Sequence, residues 1–201
     1  MSTYKLYHLN RRTEIIPLMF IAADRKFEDI RYELRKWTSN KNGTLLKSKS
    51  ILEIDGVKLP QSVSICCFLA KRFQLAGKDN IEQATVIAIV NTLMDLMKQF
   101  LSFRHENDPR KRLELVKSFY INELPRYLQN VEVLAKQYGN NGPFLVGNNL
   151  TWADLAFYEI IEILFKSDRS ILDNHLFLKQ NRAEVEKQPR IAEYLKNRSK
   201  P

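Results

Sequence analysis

The stretch ILEIDGVKLPQSVSI, residues 51–65, decides the fold of this chain of 201 residues. Two short apolar runs, 50–54 and 57–59, are joined by an Asp-Gly pair, which is a strong short-range signal for a tight turn between antiparallel strands. Residues 61–73 then carry apolar side chains at helical spacing. The stretch therefore predicts a β-hairpin that leads into a helix.

The residues before this hairpin predict both strands and a helix. Residues 3–9 predict a short strand, residues 13–23 an amphipathic helix and residues 27–32 a second strand. The polar stretch 34–49 predicts a loop that holds at most one helical turn. The resulting order, β-α-β-loop-β-β-α, is typical of a small α/β domain.

The rest of the chain has a helical pattern. We predict an α/β domain over residues 1–74, a linker over 75–80 and an all-helical domain over 81–201. Thr151 followed by Asp154 is typical of a helix start in which the acid reaches back to the capping residue. The segments with helical periodicity are 81–103, 110–138, 151–165 and 180–197.

The composition excludes two broad classes of protein. The chain is 44% hydrophobic and 27% charged, which is typical of a globular protein rather than a disordered one. No uninterrupted apolar run approaches the roughly 20 residues that cross a bilayer. The first residues also lack the apolar core of a signal peptide. We therefore expect no membrane insertion.

The net charge of +9 raises the question of a nucleic-acid partner. The basic residues form short clusters that are scattered along the sequence and interrupted by acids. The sequence has neither the spacing of zinc ligands nor an aromatic-basic motif of the kind that binds RNA. A solvated basic surface that attracts small anionic ligands is the better interpretation. We expect no nucleic-acid partner and no metal site.

Cys66 and Cys67 are the two cysteines of the chain, and they are adjacent. Adjacent cysteines rarely pair with each other, so a disulfide framework is excluded and a reducing, cytoplasmic location is expected. Both lie in an apolar run, which favours buried hydrophobic side chains over reactive thiols.

Several strings of the sequence resemble the sigma class of glutathione transferases, to which the haematopoietic-type prostaglandin D synthases belong. They are YKL near the start, ILEIDGVKLPQSVSI in the hairpin and helix, LAGKD at the linker and FLVGNNLTWADL further on. The strings follow the order and spacing of the family over essentially the whole chain, which is identified as a divergent member. The resemblance implies an N-terminal thioredoxin-like domain, a C-terminal helical bundle and glutathione as co-substrate.

The resemblance also implies which residues bind glutathione. Gln61 and Ser62 match the pair that binds the γ-glutamyl group, and Trp37 and Lys41 match residues of the loop that covers the glycine end. Asp95 matches an acid that reaches the partner's glutathione across a dimer, so we expect a homodimer. The residues expected at the site are Arg12, Trp37, Lys41, Lys49, Ser50, Gln61, Ser62 and Asp95.

The residue expected to act on the thiol departs from the family pattern. The family has a tyrosine at the end of the first strand, whose hydroxyl donates to the glutathione thiolate, and the ungapped alignment has His8 there. A neutral imidazole can donate one N–H to sulfur, and a charged one stabilises a thiolate more strongly. Strand alternation points Tyr7 to the opposite face. Because the loop before Arg12 is shorter than usual, a shifted register that presents Tyr7 stays open, and both residues are catalytic candidates.

Ser50 is the second departure. Thioredoxin-like folds have a cis-proline at this position, and it sets the backbone that pairs with the cysteine of glutathione. A non-proline cis bond costs about 2.5–4 kcal/mol, so we expect a trans bond and an altered local backbone.

Two classes of function follow from these residues. The first is a glutathione-dependent enzyme that conjugates the thiol to an electrophile, or isomerises a peroxide, with atypical or weak activity, and its partner is a small electrophilic or apolar ligand. The second is a non-catalytic relative, such as a crystallin-like structural protein, a ligand carrier or an interaction module. The matching ligand contacts favour the first class slightly, whereas the two departures favour the second.

Overall fold

The computed structural model describes residues 2–9, 14–33 and 50–197. The predicted loop over 34–49 lies outside these residues, as does the predicted start of the first helix at position 13.

The chain divides into two compact units. One unit comprises Met1–Leu75 together with Glu186–Pro201, and the other comprises Ala76–Val185. The C-terminal segment thus groups with the α/β part, whereas the sequence analysis assigned all of 81–201 to the helical domain. The reason is a set of long-range contacts between the last helix and the first, which sequence periodicity does not report.

A four-stranded sheet forms the centre of the first unit. Its strands are β1 (Tyr4–Leu9), β2 (Glu28–Tyr32), β3 (Ser50–Ile54) and β4 (Val57–Pro60). They are ordered β2-β1-β3-β4, with β1 parallel to β2 and antiparallel to β3. The predicted hairpin of β3 and β4 is confirmed, and Asp55 and Gly56 adopt the positive φ angles, 49° and 88°, that its tight turn requires.

The helices are named in chain order. They are α1 (Ile15–Ala22), α2 (Ser62–Arg72), α3 (Asn80–Ser102), α4 (Pro109–Ser118), α5 (Leu124–Tyr138), α6 (Trp152–Phe165), α7 (Leu176–Lys187) and α8 (Pro189–Asn197). A 3₁₀ turn spans Phe103–His105, and a π-helical turn spans Phe119–Glu123.

Helices α1, α2 and α8 pack together in the first unit. Tyr194 of α8 donates a hydrogen bond from its hydroxyl to Glu14 Oε2 at 2.9 Å, and Arg190 bonds to Asp24 Oδ2 at 2.9 Å. The apolar core beneath these helices includes the fully buried side chains of Leu6, Leu18, Met19, Phe20, Leu52, Ile65 and Leu69. Each such side chain contributes roughly 1.5–3 kcal/mol of hydrophobic stabilisation.

The two cysteines of α2 differ in their surroundings. Cys66 is buried, and burial raises the pKa of its thiol well above the ordinary value. Cys67 is half-buried, and burial raises its pKa as well, while the charge of Lys71 acts in the opposite direction. Raised pKa values disfavour the reactive thiolate, which agrees with the prediction that these side chains serve as packing.

Prolines mark an irregularity in two of the segments with helical periodicity. In the segment 110–138 a π-helical turn lies between α4 and α5, because Pro125 has no N–H to donate to the carbonyl of Ile121. In the segment 180–197 a bend at Gln188 separates α7 from α8, because Pro189 disfavours helical backbone at the residue before it. The helical character predicted for both segments is confirmed, and the prolines decide where each element ends.

Helix α3 is the core helix of the second unit. Its buried face consists of Thr85, Val86, Ile89, Val90, Leu93, Leu96 and Phe100, and it packs against α5 and α6. Among the described residues, α3 is also the one helix long and apolar enough to cross a membrane, judged by length and composition alone. Packing of the buried face within the unit accounts for part of that composition.

Asp154, in the first turn of α6, is a carboxylate of the second unit that accepts four hydrogen bonds. It is fully buried and accepts hydrogen bonds from the backbone N–H and hydroxyl of Thr151, the backbone N–H of Leu145 and the side-chain amide of Asn181, at 2.7–2.8 Å. Burial raises the pKa of Asp154, and these hydrogen bonds act in the opposite direction. The predicted capping arrangement at Thr151 is confirmed.

We expect Asp154→Ala to lower the free energy of unfolding by about 2–4 kcal/mol, because it removes a cap and leaves buried donors without an acceptor. Asp79, which caps α3 at an exposed position, is the matched control. Asp79→Ala should cost only about 1 kcal/mol. Urea denaturation of both variants measures the difference, and equal losses would contradict the assignment.

Candidate functional site

His8 lies at the buried face of β1, close to the end of the strand. The side chains of this strand alternate, so that His8 shares the buried face with Leu6 while Tyr7 points to the other face. His8 is 7% exposed. Its neighbours in the sheet are Arg31 on β2 and Ser50 on β3.

A charged network holds the imidazole of His8. Its Nε2 atom lies 2.7 Å from Asp29 Oδ1, and the other carboxylate oxygen, Oδ2, accepts from Nε of Arg31 at 2.9 Å and lies 2.8 Å from its second terminal nitrogen. Arg31 also lies 3.6 Å from Glu14 Oε1, at the start of α1. Glu14 in turn accepts the hydroxyl of Tyr194. The network therefore links β1, β2, α1 and α8.

The charges of this network reinforce one another. Burial acts to raise the pKa of Asp29, but hydrogen bonds from Arg31 and His8, together with the charge of Arg31, outweigh it and leave the pKa below its ordinary value. Burial acts to lower the pKa of Arg31, and the Asp29 carboxylate outweighs it and leaves that pKa raised. Asp29 is therefore a carboxylate, and Arg31 a guanidinium, at neutral pH.

Tyr7 has a separate environment on the other face of the sheet. Its hydroxyl donates to Glu53 Oε2 at 3.3 Å, its ring stacks on Tyr32 with centroids 6.3 Å apart, and Lys58 lies 6.0 Å from its centroid. Burial, followed by the charge of Glu53, raises the pKa of the Tyr7 hydroxyl. The two catalytic candidates thus face opposite sides of β1.

Ser50 begins β3 and is the direct partner of His8 across the antiparallel pair. The two positions that depart from the family pattern are therefore neighbours in the sheet. Ser50 is half-buried. The Lys49–Ser50 peptide bond, on which the prediction of a trans bond bears, lies outside the described residues.

Gln61 and Ser62 lie where β4 leads into α2. Ser62 is the first residue of the helix, so that backbone N–H groups of the first turn point towards any ligand at this end. Gln61 precedes it with φ 75° and ψ 120°, a conformation that costs a residue with a side chain roughly 1–3 kcal/mol. Strain of this kind is characteristic of binding sites, because the surrounding structure must hold it.

The structure brings His8, Ser50, Gln61 and Ser62 into one unit. The other residues expected at the site of this unit, Arg12, Trp37, Lys41 and Lys49, lie outside the described residues.

Asp95 belongs to the second unit, where it lies on the surface of α3. Its carboxylate pairs with Lys98, one turn further along, at 2.7 Å, and its side chain is 54% exposed. An exposed pair of this kind contributes little to stability. The pair with Lys98 is the interaction that the structure shows for Asp95, and its role at a glutathione site stays a prediction.

Asp29 and Arg31 were missed by the sequence analysis. They occupy alternate positions of β2, and the register of the parallel pair puts them on the same side of the sheet as Leu6 and His8. A carboxylate and a guanidinium two residues apart in a strand can be detected in the sequence as an ion pair on one face of that strand. Their proximity to His8, however, depends on the pairing of β1 with β2, which are distant in the sequence.

The second unit contains a groove of about 550 Å³. It is lined by the side chains of Phe103, Pro109, Arg112, Leu113 and Val116. Over the part of the chain that the structure describes, no three His, Cys, Asp or Glu side chains come together to hold a metal ion.

Comparisons with known proteins bear on the family and the fold of the chain. Residues 94–198 match the family described as glutathione S-transferase, C-terminal domain. The chain is 36% identical to human hematopoietic prostaglandin D synthase over 208 residues, which cover 98% of each chain. It is 29% identical to S-crystallin SL11 of Nototodarus sloanii, over 99% of this chain and 98% of that protein. The solved structure of prostaglandin synthase D of Nilaparvata lugens superposes with a TM-score of 0.89 at 28% identity, covering 99% of this chain and 100% of that one.

The fold is glutathione-transferase-like: a thioredoxin-like sheet unit is followed in the chain by a helical unit. A buried polar side chain, His8, lies near the end of the first strand. The chain belongs to the glutathione transferase family, and its similarity to prostaglandin D synthases and S-crystallins agrees with the sigma class.

We expect Gln61→Gly to be more stable than Gln61→Ala by about 1–2 kcal/mol, because glycine adopts positive φ without strain and alanine does not. Both variants remove the same side-chain interactions, so the difference isolates the backbone. Urea denaturation at equal protein concentration measures it. An alanine variant as stable as the glycine variant would show that the position is not strained.

Proposed function

We propose that the chain binds glutathione in its sheet-containing unit and conjugates the thiol to a small electrophile, or isomerises a peroxide. The observation that carries this proposal is His8, a buried, hydrogen-bonded imidazole at the position where the family has its tyrosine. The relatives named prostaglandin D synthase support a glutathione-dependent isomerase as one form of the activity.

The chemistry requires help with the thiol proton. A thiol with a pKa near 8.5, the value of free cysteine, is mostly protonated at neutral pH, and only the thiolate is a good nucleophile. An imidazole at hydrogen-bonding distance favours the thiolate by accepting the proton and by donating to sulfur. Tyr7 is less suited, since its hydroxyl already donates to Glu53 and its pKa is raised.

The remaining contacts suit a charged tripeptide. Ser62 and the helix N-terminus of α2 offer donors to a carboxylate, and Gln61 is held beside them in its strained conformation. By resemblance, Arg12, Trp37 and Lys41 complete the site, together with Lys49 and Ser50. We propose a cytoplasmic location, where glutathione is abundant and the free cysteines stay reduced.

A non-catalytic role is the second candidate. Ser50 replaces the family's proline directly opposite His8, so both residues nearest to the expected thiol are changed. The relatives named S-crystallins share the full length of the chain and support a structural role of the same fold. In this case the chain would bind glutathione weakly and show no turnover.

We expect calorimetry to detect glutathione binding to the wild-type chain and a conjugation assay with an aromatic halide to detect turnover. His8→Ala should then lower the rate by roughly 10- to 1000-fold, the range for loss of one preorganised group. Tyr7→Phe is the matched control on the opposite face, and it should change the rate little.

The outcomes separate the candidates. Loss of turnover in Tyr7→Phe with retention in His8→Ala would reject His8 as the acting group. Glutathione binding without turnover in the wild type would favour the non-catalytic role, and no binding would reject the proposed site.

A homodimer is part of the proposal. Asp95 has its family role only beside a partner's glutathione. In addition, α3 carries two exposed apolar side chains, Ile87 (43% exposed) and Met94 (37% exposed). They lie two turns apart on one side of the helix. A partner subunit would cover them.

We expect sedimentation to show a dimer at micromolar concentration, and Ile87→Glu combined with Met94→Glu to convert it to a monomer, because the charges oppose burial. Val133→Glu, an exposed apolar position on α5, is the control and should stay dimeric. A monomeric wild type would remove Asp95 from the site.

A further inference from the structure

We propose that Asp29 is a positioning residue: it holds the Nε2–H of His8, so that Nδ1 is the ring nitrogen that takes the proton of the glutathione thiol. The proposal rests on the proposed function, because it concerns the same imidazole. It adds to that function a role for Asp29. The pair of His8 and Asp29 takes the place of the family's tyrosine, with His8 as a base that Asp29 orients.

The geometry divides the carboxylate of Asp29 between two partners. Oδ2 lies 2.8 and 2.9 Å from two nitrogens of Arg31, whereas Oδ1 lies 2.7 Å from His8 Nε2. A carboxylate with a guanidinium on one oxygen keeps its charge and can only accept. The hydrogen bond to His8 therefore requires a proton on Nε2.

This requirement fixes the tautomer of the neutral ring. An imidazole that is protonated on Nε2 carries its lone pair on Nδ1, so the base is Nδ1. The charged groups of the described network are Asp29 and Arg31 on β2 and Glu14 before α1. The uncharged hydroxyl of Tyr194 on α8 joins the network by donating to Glu14. Asp29 is the acid among them that contacts the ring.

The reaction step balances with these groups alone. The thiol S–H bond breaks and its proton forms an N–H bond at Nδ1, which gives a thiolate beside an imidazolium that Asp29 stabilises. The thiolate forms a bond to the electrophilic carbon of an aromatic halide, the halide leaves with its electron pair, and the imidazolium releases its proton to solvent. The sum is conjugate plus hydrogen halide.

His175 provides an internal reference for the tautomer. In the second unit its Nδ1 lies 3.0 Å from Glu132 Oε2, which requires a proton on Nδ1 when that acid is ionised. His8 and His175 are therefore expected to be opposite tautomers in the same molecule. Ring nitrogen chemical shifts in nuclear magnetic resonance distinguish protonated from unprotonated nitrogens directly.

The first test is the spectrum of the ¹⁵N-histidine-labelled wild-type chain, assigned with His175→Gln and His105→Gln. The expected result is that the neutral form of the His8 ring carries its proton on Nε2. In Asp29→Asn, whose amide can donate to the ring, the proton should move to Nδ1, while Glu132→Gln should affect His175 and not His8. A wild-type His8 protonated at Nδ1 overturns the proposal without any activity measurement.

The second test is turnover with glutathione and an aromatic halide. Asp29→Asn should lower kcat by roughly 10-fold or more, since orientation of a base is part of its contribution, and should leave the affinity for glutathione unchanged. Glu28→Gln is the control, because Glu28 lies next to Asp29 on β2 but pairs with Lys5 on the surface. Circular dichroism melting shows whether each variant is folded.

The outcomes distinguish this proposal from the proposed function. An active wild type whose Asp29→Asn variant is folded, keeps the tautomer and turns over normally overturns the role of Asp29 alone. A wild type that neither binds nor converts glutathione overturns both proposals. A change of tautomer accompanied by a loss of kcat, with Glu28→Gln unaffected, supports the pair.

Discussion

The alternation of β1 is the constraint on which the site depends. This strand lies between β2 and β3, and Leu6 is anchored in the core, so the face that each neighbouring residue presents is fixed. A slip of one residue would exchange His8 and Tyr7 and expose the apolar side chains of the strand. The burial of Leu6 therefore decides that an imidazole, and not a phenol, stands on the core side at the end of the strand.

The side chains around His8 form a consistent local environment. Arg31 binds one oxygen of Asp29 and leaves the other to the imidazole, so that the guanidinium compensates the charge of the carboxylate that contacts the ring. Ser50 is the cross-strand neighbour of His8. The two departures from the family pattern thus belong to one place in the sheet.

The features that the sequence predicted are those that depend on local signals. The Asp-Gly turn, the helix after it and the acid that caps α6 all follow from residues within a few positions of one another. The π-helical turn before Pro125 and the bend before Pro189 also have a local signal, which is the proline itself. Proline has no backbone N–H to donate and disfavours helical backbone at the residue before it, and the helical periodicity of the flanking residues does not report this.

The relations that sequence reasoning did not provide are those between distant segments. The grouping of α8 with the sheet depends on contacts such as Tyr194 with Glu14, which are far apart in the chain. In the same way His8 was a candidate from the sequence, whereas its bond to Asp29 follows only from the register of β1 and β2. Contacts between distant segments decide both, and local propensity does not encode them.

A crystal structure of the wild-type chain with glutathione bound tests the central claim most directly. The account predicts the sulfur of glutathione at hydrogen-bonding distance from the ring of His8, with Asp29 still bonded to Nε2. A sulfur atom that instead contacts Tyr7, or a glutathione molecule bound away from the end of β1, would contradict it.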